Sequence, residues 1–200
     1  MNGNPAAAPL LRLEQVVAGY AAPVVGPVSC SIQAGDVLGL WGTNGSGKST
    51  LLNAIADAAR IFSGRIERAP GLTLFYQEQR PVRLPAMPLT GRDLLRCAAV
   101  PTHRPPPGSL SQHLNRRIDR LSGGQYQLLC VWAALAGSAD LVLLDEPTNN
   151  LDPEHERLLA ALLAQPRTHR DDRRAVLLVS HERAFLESVC SRVLELAPDA

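Results

Sequence analysis

Residues 42–49 read Gly42-Thr43-Asn44-Gly45-Ser46-Gly47-Lys48-Ser49 and match the pattern G-x-x-x-x-G-K-[ST] at every required position. The apolar run 37–41 before the pattern predicts a buried strand, and the segment 48–59 predicts a helix. Between a strand and a helix, such glycines let backbone N–H groups converge on a phosphate at the positive end of the helix dipole. Lys48 then reaches the β- and γ-phosphates, and Ser49 can bind Mg²⁺. A glycine turn beside an ordinary helix is the weaker alternative, because the whole pattern is present.

A second apolar run, 141–144, leads directly into two neighbouring carboxylates, Asp145 and Glu146. In open α/β sheets, ligands bind at the carboxyl ends of the strands, which is where this pair is expected. Adjacent positions on a strand point in opposite directions, so we expect Asp145 to face the water shell of Mg²⁺ and Glu146 to face a γ-phosphate. Glu146 can there accept a proton from an attacking water. A solvated acidic turn is the commoner interpretation of such a pair in isolation, but not downstream of a phosphate-binding loop.

Residues 121–125 read Leu121-Ser122-Gly123-Gly124-Gln125 and precede an amphipathic run, 126–136. A serine and two glycines at a helix start expose N–H groups and form a second cradle for an anion. A plain helix cap is the alternative for these residues alone. With this pentapeptide the chain resembles the ABC ATPases, whose signature it is, and the resemblance covers nearly the whole sequence.

The resemblance implies roles for an aromatic and a glutamine. Tyr20 lies upstream of the phosphate-binding loop, where an aromatic ring stacks on adenine. A glutamine that follows the strand-like segment 72–76 would contact Mg²⁺ and report the nucleotide state to a membrane partner. Gln77 is favoured for this position, and Gln79 is the alternative register.

Two further positions follow from the same resemblance. Within Asn150-Leu151-Asp152, Asp152 would couple two sites across a dimer. His181 follows the apolar run 175–179, at the same predicted sheet end as Glu146, so its imidazole can donate a hydrogen bond to the γ-phosphate. In this family the signature loop of one subunit covers the γ-phosphate held by the other, which implies a head-to-tail dimer with two composite sites.

The expected site is therefore extensive. The catalytic residues are Glu146, His181 and Lys48. The expected ligands of Mg²⁺ are Ser49, Gln77 and Asp145. The expected ATP contacts are Tyr20, Gly42, Asn44, Gly45, Ser46, Gly47, Lys48, Ser49, Thr50, Ser122, Gly123, Gly124 and Gln125. Two positions depart from the usual pattern, Thr43 in place of a frequent proline and Trp41 in place of a small aliphatic residue, and neither departure removes a phosphate donor.

The order of elements predicts an α/β fold: a P-loop NTPase core with a mostly parallel sheet, an N-terminal antiparallel β layer and a small helical insertion. The segments 10–20 and 28–32 predict the outer layer, and 153–164 predicts a helix between two central strands. A helix over 183–191 and an edge strand over 192–197 follow. We expect one nucleotide-binding domain over 1–200, with a proline-rich helical subdomain at about 80–137.

The composition limits the kinds of partner that the chain could bind through its overall charge. A net charge of +1, from 20 basic and 19 acidic residues, provides no field that would hold nucleic acid or an anionic bilayer. No apolar run approaches the roughly 20 residues that span a membrane. The four cysteines are scattered singly in apolar stretches, which predicts reduced, buried thiols rather than a metal site. Reduced thiols indicate a cytoplasmic protein, and the resemblance to the ABC ATPases implies a peripheral location at the inner face of the membrane.

Three functions are consistent with these motifs. The favoured one is the ATP-binding subunit of a transporter, with a second cassette, transmembrane permease subunits and a substrate-binding protein as partners. The segment 65–77 and the residues around Leu89 resemble zinc and manganese importer ATPases, which suggests metal uptake. The motifs at 146–152 and 180–183 also resemble the soluble F subfamily that acts on ribosomes, although those proteins carry two cassettes and a linker. A genome-maintenance ATPase of the SMC/Rad50 kind would need coiled-coil heptads, which are absent.

Overall fold

The computed structural model describes residues 8–79, 88–149, 151–164 and 174–196. Those residues form eight strands and six α-helices, and a short 3₁₀ turn (Ile118–Arg120) precedes the fourth helix. In chain order the elements are β1 (Leu11–Gly19), β2 (Pro23–Ile32), β3 (Val37–Trp41), α1 (Lys48–Ile55), β4 (Arg60–Arg68), β5 (Leu74–Gln77), α2 (Gly91–Cys97), α3 (Gly108–Ser111), α4 (Gly123–Ala136), β6 (Leu141–Asp145), α5 (Pro153–Leu163), β7 (Ala175–Ser180), α6 (Arg183–Val189) and β8 (Arg192–Glu195).

A five-stranded parallel sheet occupies the centre of the fold, in the order β5-β6-β7-β3-β8. Its three middle strands are the continuous apolar runs of the sequence, as is typical of strands covered on both faces. The expectation of central parallel strands is confirmed, and β8 is the edge strand that the sequence predicts. The predicted strand end at 197 lies outside the described residues.

Side chains alternate across the central sheet and divide the core into two layers. Leu141 and Leu143 of β6 pack with the antiparallel sheet and α1. Val142 and Leu144 pack on the opposite face, against α4, α5 and α6. Burying both faces fixes the register of β6, because a slip of one residue would exchange the two sets of side chains.

A three-stranded antiparallel sheet, in the order β2-β1-β4, forms the outer layer. The antiparallel pairing of β1 with β2 is confirmed, and β2 begins at Pro23 rather than at residue 28. The strand β4 was not predicted. Most of its side chains are exposed, so it lacks the alternation of a half-buried strand, and its pairing with β1 holds it in place.

The helix α1 is shorter than the predicted 48–59, because it ends at Ile55. Asp57 adopts a left-handed conformation with φ of 61°, which cannot continue a right-handed helix. A guanidinium from β4 completes the end: the Arg68 side chain donates to the Ile55 carbonyl at 2.7 Å and to the Asp57 carboxylate at 2.8 Å. This stop signal comes from a residue distant in sequence.

Between the two halves of the central sheet, the segment 88–136 is helical. The helix α2 begins with a capping box between Thr90 and Asp93 and ends at Cys97. Leu95 and Leu110 bury their side chains in the same cluster as α4, so this segment packs on the core. The predicted insertion also included residues 80–87, which lie outside the described part of the chain.

The prediction of four buried thiols is wrong in part. All four cysteines are free, but only Cys130 is buried. Cys97 is exposed because it lies in the last turn of α2, on the side away from the core. Cys190 is half-buried, and desolvation raises the pKa of its thiol to about 12. This thiol is therefore unreactive at neutral pH.

Candidate functional site

The predicted catalytic residues meet at the carboxyl edge of the parallel sheet. The glycine-rich loop follows β3, Asp145 ends β6, and His181 follows β7. Gln77 ends β5, the neighbour of β6, with Gln77 in register with Leu144. Parallel strands bring their ends to one edge of the sheet, so four separate segments converge there.

The loop is wrapped tightly around its own lysine. Lys48 Nζ donates to the backbone carbonyls of Gly42 at 2.8 Å and Thr43 at 2.9 Å. Gly45 and Gly47 both have positive φ, at 88° and 80°. A Cβ at Gly47 would lie 2.5 Å from the Cβ of Val25, so this position requires glycine for space as well as for conformation.

Glu146 joins two of the predicted catalytic groups. Its Oε2 lies 2.8 Å from His181 Nδ1 and accepts from the His181 backbone N–H at 3.3 Å, while its Oε1 lies 3.9 Å from Lys48 Nζ. Glu146 and Lys48 are each 6% exposed. Because an ionised carboxylate only accepts hydrogen bonds, the bond to His181 places a proton on Nδ1. The three predicted catalytic residues therefore form one contiguous group, in which Lys48 and Glu146 are buried and His181 is exposed.

The orientation of Glu146 differs in its cause from the sequence-based prediction. Glu146 lies one residue beyond β6 and has φ of 47°, so strand alternation does not set its direction. Its backbone N–H donates to the Val179 carbonyl at 3.0 Å, which ties this left-handed residue to the end of β7. A left-handed non-glycine residue at a functional site is strained, and the neighbouring strand holds it there.

The carboxylate of Asp145 is buried, and its hydrogen bonding is incomplete within the described part of the chain. Its Oδ2 accepts from the Tyr76 hydroxyl at 3.4 Å, Ser49 also donates to the carboxylate, and its Oδ1 is buried without a hydrogen-bond partner among the described residues. Burial raises the pKa of Asp145, and the adjacent charge of Glu146 raises it further. Burial and the Asp145 charge also raise the pKa of Tyr76. An anionic oxygen beside a serine hydroxyl suits a hard divalent cation.

The two candidate glutamines differ in position. Gln77 is 5% exposed, and neither polar atom of its side-chain amide has a hydrogen-bond partner among the described residues. Gln79 is exposed. A buried, unpaired amide is costly unless a ligand completes it, so the geometry favours Gln77 over Gln79 as a ligand of Mg²⁺.

The ring of Tyr20 is exposed and lies beside α1, the helix that begins at the phosphate-binding loop. Its side chain is 55% exposed, which is unusual for a large apolar surface, and its hydroxyl accepts from the Asn53 amide at 2.9 Å. Asn53 lies on α1, so the ring is tied to the helix that begins at the phosphate-binding loop. An exposed ring held in this way can stack on a planar base.

The signature segment forms a capped helix start away from these contacts. Ser122 Oγ accepts from the Gln125 N–H at 3.2 Å, and Gln125 Oε1 accepts from the Ser122 N–H at 3.0 Å. Space around Gly123 is open, whereas a Cβ at Gly124 would lie 3.1 Å from the His155 ring. The two glycines and the cap keep the helix start accessible on one side.

Asp152 serves as the N-cap of α5. Its Oδ1 accepts from the Glu154 and His155 N–H groups, and its Oδ2 lies 2.7 Å from His155 Nδ1. These hydrogen bonds from His155 lower the pKa of Asp152. The His155 ring also lies beside Gly124, where a Cβ would come within 3.1 Å of it, so this ring lies between the signature segment and Asp152. Asn150, the first residue of that motif, lies outside the described residues.

Four residues that sequence reasoning did not place in the site contact predicted site residues. They are Trp41, Asn53, Tyr76 and His155. Only Trp41 had a sequence signal, as a departure from a usual small residue. The contacts of Asn53 and Tyr76 join segments distant in sequence, which no local pattern reports, whereas His155 lies only three residues after Asp152.

Comparisons with known proteins identify the family. A family model described as "ABC transporter" matches residues 25–88 and 96–149. The zinc import ATP-binding protein ZnuC of Marinobacter nauticus is 31% identical over 195 residues, which covers 93% of this chain and 74% of that protein. The protein of the same name from Paracoccus denitrificans is 36% identical over 181 residues, covering 86% and 69%.

Solved structures share the fold. The chain matches an ATP-binding subunit of an ABC transporter with a TM-score of 0.77 and 24% identity, covering 94% of this chain and 86% of that one. It also matches a metal-chelate type ABC transporter in an inward-facing conformation, with a TM-score of 0.75 and 24% identity over 96% and 81%. Within the described residues, none of the helices combines the length and the apolar character needed to cross a bilayer.

Proposed function

This chain belongs to the ABC transporter family and is an ATP-binding, ATP-hydrolysing subunit that acts with membrane permease subunits; from that premise we propose that it powers the uptake of zinc or a chemically similar divalent metal ion. The names of relatives at 31% and 36% identity support this cargo. We further propose a cytoplasmic homodimer at the inner face of the membrane, supplied from outside by a metal-binding protein. In this proposal residues 1–200 form one nucleotide-binding domain, with a helical subdomain at about 80–137.

The phosphates of ATP would occupy the loop at the start of α1. Lys48 now donates to two carbonyls of its own loop, and the β- and γ-phosphates would replace these neutral acceptors with charged ones. The other proposed loop contacts are Gly42, Asn44, Gly45, Ser46, Gly47, Ser49 and Thr50. The Tyr20 ring would stack on adenine, in the orientation that Asn53 holds.

The residues around Asp145 fit a magnesium ion. Ser49, Gln77 and Asp145 would hold it, since the free Oδ1 of Asp145 and the unpaired Gln77 oxygen are buried oxygen donors without partners among the described residues. When bound, the ion neutralises negative charge on the β- and γ-phosphates.

The chemistry would take place beside Glu146. Water attacks the γ-phosphorus, the bond to the β-phosphate oxygen breaks, and Glu146 accepts the proton that the water loses. His181 would donate its Nδ1–H to Glu146, as in the free protein, and Nε2 would face the phosphate. To donate from Nε2 at the same time, the ring must be doubly protonated. The contact of the buried Glu146 carboxylate with both the buried Lys48 and the exposed His181 is the observation that carries this assignment.

The second half of each site would come from another copy of the chain. The proposed contacts are Ser122, Gly123, Gly124 and Gln125. They form a helix start at which Ser122 and Gly123 are exposed, and the helix dipole there can receive the γ-phosphate bound to the partner copy. Asp152 would lie at the same interface. Because the His155 ring is bonded to Asp152 and lies beside Gly124, a shift of the ring on dimer closure would affect both residues.

Replacing Glu146 with glutamine tests the catalytic assignment. Glu146→Gln keeps the shape and removes the base, so kcat is expected to fall by roughly 10² to 10⁴. Removal of a buried negative charge near Lys48 should leave ATP binding intact, and the variant should dimerise with ATP and Mg²⁺ in light scattering. Glu67→Gln, on the exposed strand β4, is the matched control and should retain wild-type turnover. Wild-type turnover by Glu146→Gln would refute the role of this carboxylate.

Metal uptake by cells tests the proposed cargo. In the organism that makes this chain, deletion of its gene should lower the uptake of radioactive zinc, and the wild-type gene should restore it while Glu146→Gln should not. Manganese and iron uptake serve as comparisons. If zinc uptake is unchanged while another metal is affected, the cargo assignment is wrong but the transport function stands.

A further inference from the structure

The indole of Trp41 lies between the phosphate-binding loop and the loop that carries His181. Trp41 is the last residue of β3 and directly precedes Gly42. Its backbone is paired with Ser180 of β7 on one side and with Glu195 of β8 on the other. Its indole Nε1 donates to the backbone carbonyl of His181 at 3.2 Å. The residue therefore bridges two segments of the site through its side chain as well as its backbone.

A cation fixes the orientation of the ring. The Arg183 guanidinium carbon lies 5.1 Å from the centre of the indole. Arg183 is itself held by Glu187 at 2.8 Å and by Glu195 at 3.7 Å. A guanidinium over an indole is an attractive contact, and here it covers the face of the ring while the N–H points along its edge. The donor is thus pre-oriented toward His181.

The peptide groups on both sides of the His181 side chain are held. The His181 N–H donates to Glu146 Oε2, and the His181 carbonyl accepts from Trp41. The next residue, Glu182, donates its N–H to Ser180 Oγ at 3.0 Å. Within this short loop, the Trp41 contact is the one that connects His181 to the strand preceding the phosphate-binding loop.

We propose that Trp41 is a positioning residue for ATP hydrolysis, which acts by holding the backbone of His181 so that the imidazole stays on Glu146 and in reach of the γ-phosphate. The inference rests on the proposed role of His181. Trp41 does not itself touch the reacting atoms. When the N–H is lost, water can take the exposed His181 carbonyl, so the fold is retained while the loop loses its fixed orientation.

The substitution Trp41→Phe tests this role because it keeps a ring under Arg183 and removes the N–H. Loss of one hydrogen bond that orients a catalytic group should lower kcat by about three- to tenfold, with the KM for ATP within about twofold of wild type. Trp132→Phe is the matched control, because the Trp132 Nε1 is buried without a hydrogen-bond partner among the described residues. Its kcat should stay within about twofold of wild type.

A double-mutant cycle with His181→Ala separates positioning from a general structural effect. In the His181→Ala background, Trp41→Phe should have no further effect on kcat, because the group that it positions is gone. An equal fall in both backgrounds would overturn the inference, as would an unchanged kcat in Trp41→Phe alone. If His181→Ala itself hydrolyses ATP at the wild-type rate, the proposed role of His181 has failed instead.

A second replacement at position 41 distinguishes loss of the hydrogen bond from disrupted packing. Benzothienylalanine at position 41 has the shape of tryptophan with sulfur in place of the N–H, so packing against Arg183 is preserved. It should lower kcat to the same extent as Trp41→Phe, with an unchanged melting temperature. Wild-type turnover with this residue would show that the N–H has no part in catalysis.

Discussion

Two glycines of the phosphate-binding loop allow steric fit to be separated from backbone conformation. Gly45 and Gly47 both have left-handed φ, at 88° and 80°. Around Gly45 no atom lies within 4 Å of a Cβ, whereas at Gly47 a Cβ would lie 2.5 Å from the Val25 Cβ and 2.9 Å from the Val24 carbonyl oxygen. Alanine at either site bears the same conformational penalty, about 1–2 kcal/mol. Only Gly47→Ala adds overpacking against β2, which costs about 1–3 kcal/mol.

We therefore expect Gly47→Ala to lower the free energy of unfolding by about 1–3 kcal/mol more than Gly45→Ala does. For a chain of this size, each 1 kcal/mol corresponds to roughly 2–4 °C in melting temperature. Urea denaturation of both variants without nucleotide, beside wild type, measures the difference directly. A Gly45→Ala variant as unstable as Gly47→Ala would refute the reasoning, since it would show that the contact with Val25 is relieved at no cost.

Three further predictions concern residues that are proposed to bind Mg²⁺ or ATP. Because burial raises the pKa of Asp145, its contribution to stability is present below the ordinary value of 3.8 and is lost as pH rises through the raised value. In urea denaturation, Asp145→Asn should thus be more stable than wild type at pH about 7 but not at pH about 4. If the variant is instead more stable only at pH about 4, burial of the charged carboxylate is not the cause. Gln77→Ala should raise the Mg²⁺ concentration for half-maximal ATPase activity by about 10-fold or more, and Gln79→Ala should not; equal effects would leave the register open. Tyr20→Ala should weaken ATP binding in calorimetry by about 1–3 kcal/mol and Tyr20→Phe only slightly, and equal affinity for all three proteins would exclude stacking.

The parts of the fold that the sequence predicts are those with a local cause. The buried runs that form β3, β6 and β7 are apolar on both faces. Each is followed by residues that are proposed to bind or hydrolyse ATP. The strand β4 and the end of α1 have non-local causes. Pairing with β1 holds β4, and Arg68 reaches back to the Ile55 carbonyl, so neither is visible in a window of sequence.

The candidate site shows the same division. Motif and spacing identify Lys48, Glu146 and His181, but not how they meet. The left-handed turn at Glu146 depends on a hydrogen bond to Val179 of the neighbouring strand, which only the assembled sheet provides. Trp41 was noticed as an unusual residue, and its role requires the position of the His181 carbonyl. Sequence reports which groups are present, whereas tertiary contacts decide their orientation.

The binding site is also the part of the core where hydrogen bonding is least complete. Ser46 Oγ, both polar atoms of the Gln77 amide and Asp145 Oδ1 are buried without hydrogen-bond partners among the described residues. Each such group destabilises the free protein by about 1–3 kcal/mol. A phosphate and a cation would supply the missing hydrogen-bond partners and ligands. Binding would therefore offset the penalty of these buried groups and stabilise the folded protein. Asp145→Asn removes the buried negative charge, so it should stabilise the free protein and weaken binding of the cation, because the same carboxylate causes the penalty in one state and attracts the cation in the other.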